Sequence, residues 1–192
     1  MHTTRTFLAL TLDQEPLRAV TRLISNLRYR VDGVRWIPSE NLHITLAFLG
    51  DVVTEDLPSL CNAVKEVCSQ QESYELGLRR MGAFPDLRRP RVLWVGVQRG
   101  LQESAELESA LSDRIEPLGY RRENRAYVPH LTIGRVKGRL RWRGPQKEQL
   151  AELDSWDGGC SVIESVKVMS SELAPAGPTY RTVATCVLGR RN

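Results

Sequence analysis

Apolar and polar positions repeat along this chain with two periods, and the switches between them outline a mixed fold. Thr4–Leu12 alternates with period two and predicts a strand. Pro16–Arg28 carries Leu17, Val20, Ile24 and Leu27 at helical spacing. Val34–Ile37 reads as a short strand stopped by Pro38-Ser39-Glu40-Asn41, and Leu42–Leu49 as a longer one closed by Gly50-Asp51. Leu57, Leu60, Cys61, Val64, Val67 and Cys68 trace one face of a second helix. Strands over Tyr74–Met81 and Val92–Gln98 flank a Pro- and Arg-rich loop, Gly82–Arg91. Leu101–Leu118 is a helix that ends at Gly119. Strand Ala126–Val136, helix Gln146–Leu153 and strands Ser161–Leu173 and Thr179–Leu188 complete the chain, with Lys137–Gly144 as a loop. The order strand, helix, strand, strand, helix, strand then broadly repeats, which implies an α+β protein built from two similar lobes.

The 192 residues fit one medium domain, 1–192, in which the two lobes share a cleft. No low-complexity tract or linker divides them. No apolar run approaches the roughly 20 residues that cross a bilayer, and the short run after Arg5 reads as a first strand rather than a signal peptide. Cys61, Cys68, Cys160 and Cys186 form no CxxC pair and have no histidine close in sequence, which argues against a zinc site. Small core residues in a reducing cytoplasm are the expectation for them. Monomer is the default oligomeric state.

Net charge is only +4, but the cations cluster. Between Ala126 and Lys147 there is no acid, while Arg135, Lys137, Arg139, Arg141, Arg143 and Lys147 are present. Arg79, Arg80, Arg88, Arg89, Arg91 and Arg99 face one acid, Asp86, in a second cluster. Such clustering suits an anionic partner, and a merely solvated basic face would look the same.

Two of the three histidines sit in near-copies of one motif, Leu42-His43-Ile44-Thr45-Leu46 and Pro129-His130-Leu131-Thr132-Ile133. On a strand, His and Thr two positions apart share a face while Ile44 and Leu131 point the other way, into a core. Each lobe would thus present one imidazole and one hydroxyl to a shared cleft. Imidazole, with an ordinary pKa of about 6.5, serves as acid or base near neutrality. Hydrolysis of a cyclic phosphodiester needs one of each, and threonine hydroxyls suit the non-bridging oxygens. A lone HxT is weak evidence; two copies in matching halves are much harder to dismiss. No carboxylate cluster suggests a metal, and none is expected.

At these residues the chain resembles the two-histidine (2H) phosphoesterases, and within them the bacterial and archaeal RNA 2′,3′-cyclic phosphodiesterases, also called 2′-5′ RNA ligases. The resemblance runs through Arg5-Thr6-Phe7-Leu8-Ala9-Leu10, Trp36-Ile37-Pro38, Asn41–Gly50, Arg89–Gly96, Pro129–Arg135, Ser171-Glu172-Leu173 and Gly177-Pro178-Thr179-Tyr180. It implies two pseudo-symmetric lobes, each an antiparallel sheet with helices outside, around a central groove. It implies opening of a 2′,3′-cyclic phosphate at an RNA end to a 2′-phosphate, without cofactor or metal. His43 and His130 would be the acid/base pair, with His43 favoured as the acid that protonates O3′ and His130 as the base. Thr45, Thr132 and Arg135 would hold phosphate. Arg135 lies five positions past His130, so strict alternation turns it away unless a bulge near Gly134 intervenes. Phe7 falls on one face of the first strand and could equally stack a base or be a core phenylalanine; Trp142, between Arg141 and Arg143, could touch RNA or be an ordinary lobe-packing tryptophan. Trp36 and Trp94 read as core, and His2 takes no role.

Three other functions fit the same residues. The reverse reaction would join a cyclic end to a 5′-hydroxyl in a 2′-5′ linkage. A binding module would hold the nucleotide or RNA end without turnover. A small cyclic nucleotide could replace RNA as substrate. The absence of a Walker A loop or a nucleotide-activating lysine motif disfavours an ATP-driven ligase.

Overall fold

The computed structural model describes residues 2–122, 124–174 and 177–189, with backbone alone at Lys147, Leu173 and Ala174. Nine strands and four α-helices follow in the order β1 (Thr3–Leu10), α1 (Gln14–Arg30), β2 (Val31–Trp36), β3 (Ile44–Val53), α2 (Leu57–Gln70), β4 (Tyr74–Phe84), β5 (Val92–Arg99), α3 (Leu101–Ile115), β6 (His130–Trp142), α4 (Gln146–Ser155), β7 (Asp157–Ile163), β8 (Ser165–Ala174) and β9 (Gly177–Val187). The α+β, two-lobed expectation holds. One lobe is the antiparallel set β3-β1-β8-β9 and the other β6-β5-β4-β7, joined edge to edge through β3 and β6.

The helices pack outside, and they cross over. α1 follows a strand of the first lobe but packs against β7, β2 and β6 of the second. α3 follows β5 of the second lobe but packs with α2 against β3 in the first. α1, α2 and α3 bury most of the stripe read from their spacing: Val20, Ile24 and Leu27, joined by Leu23, on α1; Leu60, Val64, Val67 and Cys68 on α2; Leu107, Leu111 and Ile115 on α3, with Leu118 beyond it exposed. One continuous apolar cluster results, spanning both lobes.

Several boundaries differ from the sequence reading: β3 runs through Gly50-Asp51 to Val53, β4 reaches Phe84, and β6 begins only at His130. Ser161–Leu173 is two strands that part at Glu164: β7 pairs with β4 at the outer edge of the second lobe, and β8 returns to β1 in the first. The mixed run of small and β-branched residues carries no turn signal strong enough to mark that break. Lys137–Gly144 is largely strand, because β6 continues as far as Trp142 beside β2. Gly33 and Gly138, both with positive φ, lie in the irregular stretch where the β2–β6 register shifts. His2 is tied down: its carbonyl accepts from the Thr54 amide and hydroxyl, both at 3.0 Å. Among the described residues no helix is long and apolar enough to cross a membrane.

The lobes join at a single backbone pair, Ile44 opposite Leu131, and both side chains are fully buried. Ile44→Ala is expected to lower the unfolding free energy by about 2–5 kcal/mol, read from a urea transition. A loss below about 1 kcal/mol would mean that this junction does not hold the lobes together.

Candidate active site

Antiparallel pairing at Ile44 and Leu131 fixes what lies beside them. One step either way, His43 stands opposite Thr132 and Thr45 opposite His130. Because side chains alternate, all four turn to the face opposite the buried Ile44 and Leu131. All four are half-buried. A pseudo-twofold axis thus passes through the junction and exchanges the two HxT pairs.

Each imidazole is held in the same way. His43 Nδ1 lies 2.7 Å from the Asn41 carbonyl oxygen, and His130 Nδ1 lies 2.7 Å from that of Val128. A carbonyl only accepts, so each Nδ1 carries the proton and Nε2 keeps its lone pair for chemistry. Asn41 is anchored in turn, its side-chain amide donating to the Pro178 carbonyl at 3.0 Å. The Thr45 and Thr132 hydroxyls have no protein partner among the described residues, and so remain available to a ligand.

Aromatic rings back both histidines. His43 packs on Phe7 (centroids 4.9 Å apart) and against the edge of Tyr180 (5.2 Å); His130 meets Phe84 (4.9 Å) and Trp94 (6.4 Å). Burial lowers the His43 pKa below its ordinary value of 6.5, and the positive charges of Arg135 and His130 push the same way. The Asn41 hydrogen bond opposes them only in part. In the unliganded site His43 therefore favours the neutral ring.

Matching β-bulges then shape the ends of the groove. On β6, Thr132 pairs with Trp94 and Gly134 with Leu93, so Ile133 is the extra residue. On β3, Thr45 pairs with Ala9 and Ala47 with Leu8, so Leu46 is the extra residue. Each bulge turns the residue five past its histidine onto the groove face. That residue is Arg135 in one lobe and Phe48 in the other. The bulge near Gly134 removes the alternation problem for Arg135, which is exposed on the same face as His130 and Thr132.

Other expected site residues are placed differently. Phe7 is only 3% exposed, enclosed by His43, Phe48, Tyr180 and Met169, so it presents no face to a base. The exposed ring beside it is Phe48, at 57%. Trp142 is half-buried against the core on the β2–β6 arm, although Arg141 beside it is exposed. Trp94 is not core: it shares the groove face with Thr132 and lies over Gly82, where a Cβ would come within 2.3 Å of the indole ring. Phe48 on the groove face, and Trp94, Tyr180 and Asn41 against the histidines, were not expected there from the sequence. The HxT-plus-five spacing shared by Phe48 and Arg135 was the available signal for Phe48. Among the described residues no three His, Cys, Asp or Glu side chains gather as for a metal ion.

Fold and groove together define a two-histidine phosphoesterase architecture. Comparison with known proteins agrees. The LigT-like phosphoesterase family model matches residues 10–94. An RNA 2′,3′-cyclic phosphodiesterase of Methanothermobacter thermautotrophicus is 38% identical, with 92% of this chain and 94% of that protein covered. One from Thermotoga maritima is 31% identical over 95% and 94%. The crystal structure of TT0787 of Thermus thermophilus superposes with a TM-score of 0.82, at 24% identity over 98% of this chain and all of that one. This chain belongs to the LigT-like phosphoesterase family.

The His43 environment is open to direct measurement. Its ring carbon signals should titrate with a midpoint below 6.5 in NMR spectra, and Arg135→Gln should move that midpoint upward by removing a nearby cation. An unmoved midpoint would show that Arg135 does not act on this ring.

Proposed function

We propose that the protein opens 2′,3′-cyclic phosphates at RNA ends to 2′-phosphates, without a metal, by paired histidine acid/base catalysis. The observation that carries this reading is the pair of imidazoles flanking the lobe junction. Each is locked through Nδ1 onto a carbonyl, each leaves Nε2 open, and two unpartnered threonine hydroxyls lie on the same face. The names of the relatives support the substrate assignment.

In the proposed step a water oxygen attacks phosphorus as one Nε2 takes its proton. The P–O3′ bond breaks as the other Nε2–H gives its proton to O3′, leaving a 3′-hydroxyl and a 2′-phosphate. Thr45 and Thr132 donate to the non-bridging oxygens, and Arg135 offsets their charge. With His130 as base and His43 as acid, His43 must gain a proton that its free environment disfavours. The phosphodiester supplies the cause: an anion between the rings opposes the charge of Arg135 and raises the His43 pKa. Proton uptake by His43 then accompanies substrate binding. Entering water and departing oxygen occupy equivalent sides of the pseudo-twofold axis, so the same groups serve the reverse 2′-5′ joining. Water, as the abundant nucleophile, favours hydrolysis.

Phe48 takes the base-stacking role in this reading. Four free thiols fit a cytoplasmic setting.

A short RNA ending in a 2′,3′-cyclic phosphate, incubated with the protein in excess EDTA, should give a 2′-phosphate by phosphorus NMR. His43→Ala and His130→Ala should each slow turnover at least ~10²-fold with the fold intact. Binding without turnover would favour a binding module instead, and loss of turnover in EDTA would refute the metal-free step.

Phe48→Ala should raise KM about tenfold while leaving kcat within about twofold, since one base stack is worth roughly 1–3 kcal/mol. An unchanged KM would remove Phe48 from the nucleotide site.

A further inference from the structure

Some arginines away from the groove meet carboxylates: Arg30 pairs with Glu152, Arg80 with Asp154, Arg114 with Glu66 and Arg143 with Asp32. Arg35 and Arg135 do not. They are direct cross-strand partners on β2 and β6, both exposed, and neither has a hydrogen-bonded or ionic partner among the described residues. Like charges directly opposed on neighbouring strands destabilise a sheet. The bulge at Ile133 and the cross-strand pairing put both on the groove face, with Val34, Trp36 and Val136 packed against the core on the other.

The placement is rigidly built. The Ile37 amide donates to the Ile133 carbonyl at 2.9 Å, which fixes β2 beside the bulge. Gly134 has no room for a side chain, since a Cβ there would sit 2.6 Å from Val34 Cγ1. At the far end of the same two strands Arg143 grips Asp32 through two hydrogen bonds, at 2.6 and 2.9 Å. Two guanidinium groups are thus carried on backbones about 5 Å apart, within roughly 10 Å of Thr132 along β6.

We propose that Arg35, beside the Arg135 that borders the reacting phosphate, completes a second anion subsite that takes the phosphodiester immediately 5′ of the cyclic end, with Arg135 shared between the two phosphates. The assignment rests on the cyclic-phosphate reading above. Arg135 borders the histidines and Arg35 lies one strand further out, so the pair extends the groove away from the reacting phosphorus. A phosphodiester between them removes their repulsion and accepts charge-assisted hydrogen bonds from both. Phe48 lies at the opposite end of the groove, beyond Thr45. The terminal base then lies over the first lobe, and the upstream backbone runs out along the β2–β6 arm, where Lys137, Arg139 and Arg141 are exposed and 126–147 holds no acid.

The test compares kcat/KM for a trinucleotide and a mononucleotide, each ending in a 2′,3′-cyclic phosphate. The trinucleotide-to-mononucleotide ratio should fall about tenfold in Arg35→Gln, for loss of one charged hydrogen-bonding partner, and largely recover in Arg35→Lys. Separately, the salt dependence of binding of a trinucleotide ending in a 2′-phosphate should lose about 0.7 from its log–log slope in Arg35→Gln, as for one phosphate contact on a single strand. An unchanged ratio or an unchanged slope would overturn the subsite. If the wild type opens neither cyclic phosphate, the catalytic reading fails by itself, and the salt slope still decides whether Arg35 holds the upstream phosphate.

Discussion

The pairing of Ile44 with Leu131 is the contact on which the site depends. It is the only backbone pair that joins β3 to β6, and both side chains are excluded from water. Strand alternation makes their burial decisive. A slip of one residue on either strand would bury an imidazole and a hydroxyl and expose an aliphatic side chain instead. The hydrophobic effect, acting on Ile44 and Leu131, thus sets the register of the two histidines and two threonines beside them. With a single bonded pair, the strands part on either side of it, and the groove opens there.

The symmetry that follows suits an in-line displacement at phosphorus, in which entering and leaving oxygens occupy equivalent positions. It is broken where the substrate is not symmetric. The two bulges lift equivalent residues to the groove, but one is a phenylalanine and the other an arginine. A nucleotide end has the same asymmetry, with a flat apolar base and a charged backbone. The groups proposed to catalyse therefore follow the twofold axis, while those proposed to recognise the nucleotide depart from it.

Much of this was legible in the residues. Helical spacing in α1, α2 and α3 marked their buried stripes, and the two HxT copies placed the reactive groups on strand faces with apolar neighbours inward. Period-two alternation does not encode bulges, however, so the groove position of Phe48 was signalled only by the spacing it shares with Arg135, and that of Arg135 needed an irregularity near Gly134. Aromatic residues misled for a related reason. Phe7 read as a base-stacking or core residue and Trp94 as core, and only the neighbours across the sheet decide that the first is sealed by Tyr180 and the second lies on Gly82. The crossing of α1 and α3 to opposite lobes was also hidden, because periodicity shows which face a helix buries but not the sheet it buries it against.

The way the histidines are oriented bears on how their protons are controlled. A carboxylate on Nδ1 would stabilise the imidazolium and raise its pKa in the free enzyme. A backbone carbonyl fixes the tautomer as firmly but adds no full charge, so the surroundings govern the proton. For His43 those surroundings are a closely packed aromatic pocket and the cation of Arg135, both of which favour the neutral ring. An anionic phosphodiester then makes the missing contribution. In the scheme advanced above, the acid becomes charged as its substrate arrives. The empty groove is spared a buried imidazolium beside Arg135, and the proton needed at O3′ is delivered only when a phosphate is there to receive its effect.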